Sequence, residues 1–60
     1  MYLQSVSFAI KNGEISSPML QRELNIPYHI SAMLMDLLEL NRVISDEETG
    51  SKRKKVLINS

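Results

Sequence analysis

The sequence predicts an α+β fold, in which three helices are followed by a two-stranded β-hairpin. Residues 2–40 show the three- and four-residue apolar spacing of amphipathic helices, interrupted twice by residues that end helices. Residues 43–59 instead contain two short runs rich in β-branched residues on either side of a polar stretch. A chain of 60 residues is expected to form one domain, spanning residues 1–60.

The first helix is predicted over residues 2–11. Leu3, Val6 and Ile10 recur at i, i+3 and i+7, which is the spacing of one helix face. Gly13 is expected to end this helix, because glycine adopts the left-handed conformation at little cost. Residues 14–16 are too short for more than a connector or a single-residue strand.

Two further helices are predicted from their end signals. Ser17 is a candidate N-cap and Pro18 suits the first helical position, where its missing N–H has no partner to lose. This second helix must end before Pro27, since the residue before a proline is disfavoured in the α region. The third helix is predicted over residues 27–40, with Asn41 as its C-cap.

The remaining residues predict a hairpin. Its strands are expected at residues 43–45 and 55–59, joined by a polar stretch with Gly50 near the tip. The order helix, helix, tight turn, helix, hairpin is that of a winged helix-turn-helix. Residues 43–59 are therefore called the wing.

Composition excludes several classes of protein. The chain is 43% apolar, has no cysteine and has one histidine, so it is neither a disulfide scaffold nor a disordered chain. Its formal net charge of zero hides a division along the sequence. Residues 1–49 hold seven acidic and three basic side chains, a charge of −4, whereas residues 50–60 hold four basic ones and no acid. This basic segment, residues 52–55, predicts a local contact with an anionic partner.

No arrangement of residues predicts catalysis. His29 is the single imidazole, and Asp36 lies seven residues away, about two helical turns, which is too far for a shared site. A metal ion needs three or four ligands, and there is no glycine-rich phosphate loop. We therefore expect a protein that is not an enzyme, with no metal, no cofactor and no small-molecule substrate. No apolar run is long enough to span a membrane and no secretory signal is evident, so a cytoplasmic location is expected.

Much of the chain resembles a known family, and the matching residues fall on every element from the second helix onward. They are Ile15-Ser16-Ser17, Leu20-Gln21-Arg22, Ile26, Tyr28, Leu34-Met35-Asp36, Leu38-Glu39, Gly50-Ser51-Lys52 and Val56-Leu57-Ile58. In their order and spacing they resemble the gamma domain of FtsK-type DNA translocases, a winged-helix module that reads short oriented DNA motifs. The resemblance implies a winged helix that binds double-stranded DNA.

The match is uneven at the positions that would meet DNA. The family carries polar and arginine side chains at the front of the third helix, where this chain has His29, Ile30, Ser31 and Met33. The basic segment of the wing is kept. The wing and the polar face of the first helix are therefore the predicted DNA contacts, with Arg53 the candidate for entering a minor groove. The predicted DNA-contacting residues are Lys52, Arg53, Lys54, Lys55, Ser51, Gly50, Thr49, Gln4, Ser5 and Lys11.

The third helix has more apolar surface than one core face needs. Its apolar residues sweep roughly 240° around the helix axis, compared with an apolar stripe of about 100° on a typical surface helix. Tyr28, Leu34, Met35 and Leu38 suffice to pack on the first two helices. Four apolar residues with coiled-coil spacing are left over, and we predict that they pair with a second copy of the chain as a homodimer. These residues, called the apolar seam, are Ile30, Met33, Leu37 and Leu40.

Two alternatives remain open. The apolar seam could dock a different protein, while the wing binds an acidic protein surface. Alternatively, the chain could be a conventional regulator that reads DNA with its third helix, in which case His29 and Ser31 would be essential. A small module of this kind would suit origin recognition on a plasmid or other mobile element, including conjugative transfer.

Overall fold

The computed structural model describes residues 1–48 and 53–58, and it has the predicted α+β architecture. Along the described residues, the elements follow the order helix, strand, helix, helix, strand, strand. In chain order the elements are α1 (Tyr2–Asn12), β1 (Glu14–Ile15), α2 (Ser17–Leu24), α3 (Tyr28–Leu40), β2 (Ile44–Glu48) and β3 (Lys54–Val56). The three predicted helices and the predicted wing strands are all present, and their ends differ from the predicted ones by at most three residues.

Within the described residues the sheet has three strands: β2 and β3 form the predicted two-stranded hairpin, and β1, at the predicted connector, adds a third. The strand order is β1-β3-β2, and both pairs are antiparallel. In β1, Glu14 lies opposite Lys55 and Ile15 lies opposite Lys54. Two residues are too short for periodicity to reveal a strand. The strand β1 exists because Ile15 is fully buried and its backbone pairs with a strand about forty residues later.

The helix ends follow from local chemistry. Gly13 ends α1 with φ of 78°, the left-handed conformation that favours glycine. The N-cap of α2 is Ser16 and not Ser17 as predicted: the Ser16 hydroxyl accepts a hydrogen bond from the Met19 amide at 3.4 Å. Pro18 then occupies the first turn. Asn25 leaves α2 through the left-handed region, with φ of 53°, before Pro27 starts the next helix.

One hydrophobic core joins the helices to the sheet. Its buried members come from the three helices, from β1 and β2, and from the turn before β2. They are Ala9, Ile15, Leu20, Leu34, Met35, Leu38, Val43 and Ile44. From β3, Val56 packs against the edge of this core. This contact holds β3, and with it Lys54 and Lys55, against the core.

Two predicted packing residues lie outside the core. Leu3 is almost fully exposed, because α1 buries the face that carries Ala9 and not the neighbouring face. Tyr28 is also exposed, since it is the first residue of α3 and precedes the part of the helix that meets α2. Ser31 occupies the core-facing side instead: it is fully buried, and its hydroxyl donates to the Tyr28 carbonyl at 2.7 Å.

Candidate nucleic-acid interface

The strand β3 places consecutive basic side chains on opposite faces of the sheet. Side chains alternate along a strand, so Lys54 and Val56 share one face and Lys55 takes the other. Val56 packs on the core, which identifies the first face as the one covered by α3. Lys55 is exposed on the opposite face. Lys54 therefore lies on the inner face of the sheet and Lys55 on the outer face.

On the inner face, Lys54 forms an ion pair with Glu39 of α3. Both side chains are mostly buried, with 19% and 24% of their surface exposed. The Glu39 Oε1 atom is buried and has no hydrogen-bond partner among the described residues, so the Lys54 ammonium is the group that balances its charge. The pair links the wing to the C-terminal half of α3.

On the outer face, Arg53 forms an ion pair with Glu14 of β1. Its Nη1 donates to Glu14 Oε1 at 2.7 Å, and the two side chains are 45% and 39% exposed. Glu14 also lies directly across the sheet from Lys55. This face therefore brings together two basic side chains and one carboxylate at the solvent boundary.

The predicted contacts Thr49, Gly50, Ser51 and Lys52 lie outside the described residues. They remain predictions.

The polar face of α1 is smaller than predicted. Gln4 and Lys11 are exposed, and Lys11 lies in the last turn, next to the Gly13 turn that leads into β1. Ser5 was predicted to contact DNA, and this is wrong for the structure: Ser5 is fully buried, and its hydroxyl donates to the Tyr2 carbonyl at 2.6 Å. The helical wheel failed here because a serine satisfied by its own helix packs like a small apolar residue.

Most of the apolar seam is exposed on α3. Leu40 is 78% exposed, Met33 is 57% exposed and Leu37 is exposed to a lesser extent. Ile30 differs, because it packs partly against the core. The structure adds Leu57, 55% exposed, and Ile58 to the exposed apolar surface. Sequence reasoning placed both in a strand, but β3 ends at Val56 and leaves them beyond it.

The charge on α3 is opposite to that of the basic segment. Its 13 residues include Asp36 and Glu39 but no lysine or arginine. His29 is exposed in the first turn. A helix that lies in a DNA groove runs close to phosphates on both sides, so carboxylates without balancing cations oppose that placement.

Two open grooves border α3. One, of about 400 Å³, lies between the end of α3 and β2 and is lined by Leu40, Arg42, Asp46 and Leu57 among others. The other, of about 390 Å³, lies between the start of α2 and α3, and Lys54 contributes to its wall. Both are open to solvent. Neither contains a set of side chains suited to catalysis.

Within residues 1–48 and 53–58, no three histidine or carboxylate side chains come together as metal ligands. None of the three helices has both the length and the apolar character to cross a membrane.

A family model described as the FtsK gamma domain matches residues 1–59. The chain belongs to the FtsK gamma-domain family. This agrees with the resemblance noted in the sequence and with the α+β winged-helix architecture. No solved structure gives a significant match.

Several similar proteins are much longer than this gamma-family chain. The DNA translocase FtsK of Staphylococcus aureus is 38% identical over 58 residues, and that of Staphylococcus epidermidis is 36% identical over 58. The DNA translocase FtsK of Bacillus cereus is 37% identical over 59 residues. These alignments cover 97–98% of the chain but only 7% of each translocase.

Proposed function

We propose that the chain binds double-stranded DNA through its wing. The observation that carries this proposal is the distribution of charge on a gamma-family fold: the basic side chains lie on β3, while α3 has none. Because the chain resembles DNA translocases, we favour DNA over other polyanions as its partner. The motor activity named for those relatives is not part of the proposal, and neither is any catalytic step or cofactor. A DNA partner implies action in the cytoplasm.

The outer face of β3 is the proposed contact surface. Lys55 is exposed there, so a phosphate can replace the water around its ammonium group. The ion pair between Arg53 and Glu14 is partly exposed, so a phosphate can also replace the Glu14 carboxylate at Arg53. Arg53 is the candidate for insertion into a minor groove. We propose further DNA contacts from Thr49, Gly50, Ser51, Lys52, Gln4 and Lys11.

The second part of the proposal is a homodimer formed through α3. Met33, Leu37 and Leu40 are exposed on one helix of a 60-residue domain, and a second copy presenting the same seam would cover them. Ile30 supports the seam from its edge. A dimer also doubles the number of basic side chains available to DNA.

DNA binding is tested by measuring affinity for a duplex as a function of salt concentration. Contact with six or more phosphates predicts a loss of affinity of about 10³-fold or more between 50 and 200 mM salt. Binding that does not change with salt contradicts the proposed mechanism.

Sedimentation at micromolar concentration tests the homodimer, and a folded monomer at that concentration contradicts the homodimer alone.

The exposed apolar surface favours one alternative function, a protein-interaction module. The groove lined by Leu40 and Leu57, with Arg42 and Asp46 beside them, could receive a partner other than a second copy. Competition separates the two functions, because an unlabelled duplex displaces a labelled duplex only if the chain binds DNA.

A conventional recognition helix is less well supported. The buried Ser31 hydroxyl donates its hydrogen bond to the Tyr28 carbonyl, and α3 has no lysine or arginine to pair with guanine.

Sequence-specific binding, including origin recognition on a plasmid or in conjugation, is also proposed. Selection of bound sequences from random duplexes tests it, and the absence of any enriched motif would contradict it.

A further inference from the structure

The two ion pairs of the basic segment differ in burial although their basic residues are consecutive. Arg53 and Glu14 keep 45% and 39% of their side-chain surface exposed, whereas Lys54 and Glu39 keep only 19% and 24%. Burial excludes the water and salt that weaken an ion pair. A phosphate can therefore displace Glu14 from Arg53 far more easily than it can displace Glu39 from Lys54.

We infer that Glu39 withholds Lys54 from DNA, so that this lysine ties the wing to α3 instead of binding phosphate. The inference rests on the proposed DNA binding and deepens it, because it assigns different roles to adjacent basic residues. Glu39 is then a positioning residue: it touches no DNA itself and determines how many cations of the wing face phosphates.

The surroundings of Lys54 show what would follow if Glu39 lost its charge. Lys54 lines the groove of about 390 Å³ beside the start of α2, together with Ser17, Tyr28 and Asp36. Asp36 is exposed, so water and salt screen its attraction for a released lysine, and it competes with phosphate less than the mostly buried Glu39 does. This groove is open to solvent, so a lysine without its carboxylate partner has space to turn outward. A phosphate at the mouth of the groove would then supply the negative charge that Glu39 supplies in the folded chain.

The first experiment replaces Glu39 by glutamine, which keeps a hydrogen-bond acceptor for Lys54 but removes the charge. We expect Glu39→Gln to bind a 20-base-pair duplex of random sequence more tightly at 50 mM salt. The slope of log affinity against log salt should steepen by about 0.9 for each bound copy, because one more phosphate is neutralised. The loss of affinity between 50 and 200 mM salt then grows by about 3.5-fold per copy.

The matched control is Glu23→Gln. Glu23 is exposed on α2 and forms no ion pair with any residue in the described ranges, yet its substitution changes the net charge by the same amount. Any gain from net charge alone appears in both variants. A steeper slope in Glu39→Gln and not in Glu23→Gln supports the inference, and equal slopes overturn it.

A double variant tests whether the gain passes through Lys54. In Glu39→Gln combined with Lys54→Gln, the steeper slope should disappear, since the released cation is gone. If the slope remains steep, Lys54 is not the released group and the inference is overturned. Urea denaturation of each variant establishes the conditions in which all of them are folded.

A separate pair of variants keeps the inference testable if Glu39→Gln does not fold. With Glu39 present, Lys54→Gln should leave the salt slope unchanged, and Lys55→Gln should reduce it by about 0.9 per copy. Equal reductions overturn the inference while leaving DNA binding intact. Failure of the wild-type chain to bind the duplex overturns the proposed function itself.

Discussion

The helix α3 and the strand β3 are joined by the Lys54–Glu39 pair, yet their surfaces have opposite chemistry. The exposed side of α3 is mainly apolar and carries carboxylates without lysine or arginine. The strand β3 follows Arg53 and adds two lysines. Apolar surface favours contact with protein, and concentrated positive charge favours contact with phosphate. The third helix of this fold and its wing can therefore have separate partners.

The largest expected effect separates the two faces of α3. Leu38 is fully buried and Leu40 is 78% exposed, although both are leucines on the same helix. We expect Leu38→Ala to lower the free energy of unfolding by about 2–5 kcal/mol, because it leaves a cavity in the core. Leu40→Ala should change the stability of the monomer by less than about 0.5 kcal/mol. Urea denaturation below the dimerisation concentration measures both, and equal losses would contradict the assignment of faces.

The next effect tests whether α3 is an interface. Met33 is 57% exposed, so the two copies in a dimer would together bury roughly one full methionine side chain, worth about 1.5–3 kcal/mol. Met33→Glu removes this burial and places a charge in the interface, so it should weaken dimerisation by about a hundredfold. Sedimentation measures the change. His29→Glu adds a charge on the same exposed surface outside the seam and serves as control, and equal losses would place the interface elsewhere.

A smaller effect tests how β3 is held. Gly13 has a left-handed φ of 78°, and its carbonyl accepts a hydrogen bond from the Val56 amide at 3.0 Å. A Cβ at Gly13 would meet no atom within 4 Å, so Gly13→Ala is opposed by backbone strain alone. We expect it to cost about 1–2 kcal/mol in urea denaturation. A neutral result would mean that the turn before β1 relaxes without disturbing β3.

The smallest effect concerns Ser31. Its hydroxyl bonds the carbonyl of its own helix, so Ser31→Ala should change the free energy of unfolding by less than about 1 kcal/mol and leave DNA affinity unchanged. A conventional recognition helix predicts loss of specific binding instead. Fluorescence anisotropy with a selected duplex distinguishes these outcomes.

The fold was largely predictable because its signals are local. The helix-ending Gly13, the proline near the start of α2 and the change of period after α3 all appear within a few residues of the structure that they determine. The strand β1 was not predictable, since Glu14 and Ile15 become a strand only by pairing with β3. The N-cap moved by one residue because Ser16 and Ser17 offer the same chemistry.

The candidate site was predictable in charge but not in partners. The sequence locates the basic segment, but Lys54 and Lys55 look equivalent in it. Their difference arises from strand alternation and from Glu39, fifteen residues earlier on another element. Ser5 shows the same limit: its polarity indicated exposure, and only packing against α1's neighbours buries it.

In the proposed mode of binding, the wing contacts DNA and α3 does not. The most direct measurement is the salt dependence of duplex affinity, by fluorescence anisotropy, for the wild-type chain, Lys55→Gln and His29→Ala. Lys55 and His29 are both exposed, one on β3 and one on α3. We predict that Lys55→Gln weakens binding and flattens the salt slope by about 0.9 per copy, while His29→Ala changes neither. Loss of binding in His29→Ala with no change in Lys55→Gln would contradict the claim.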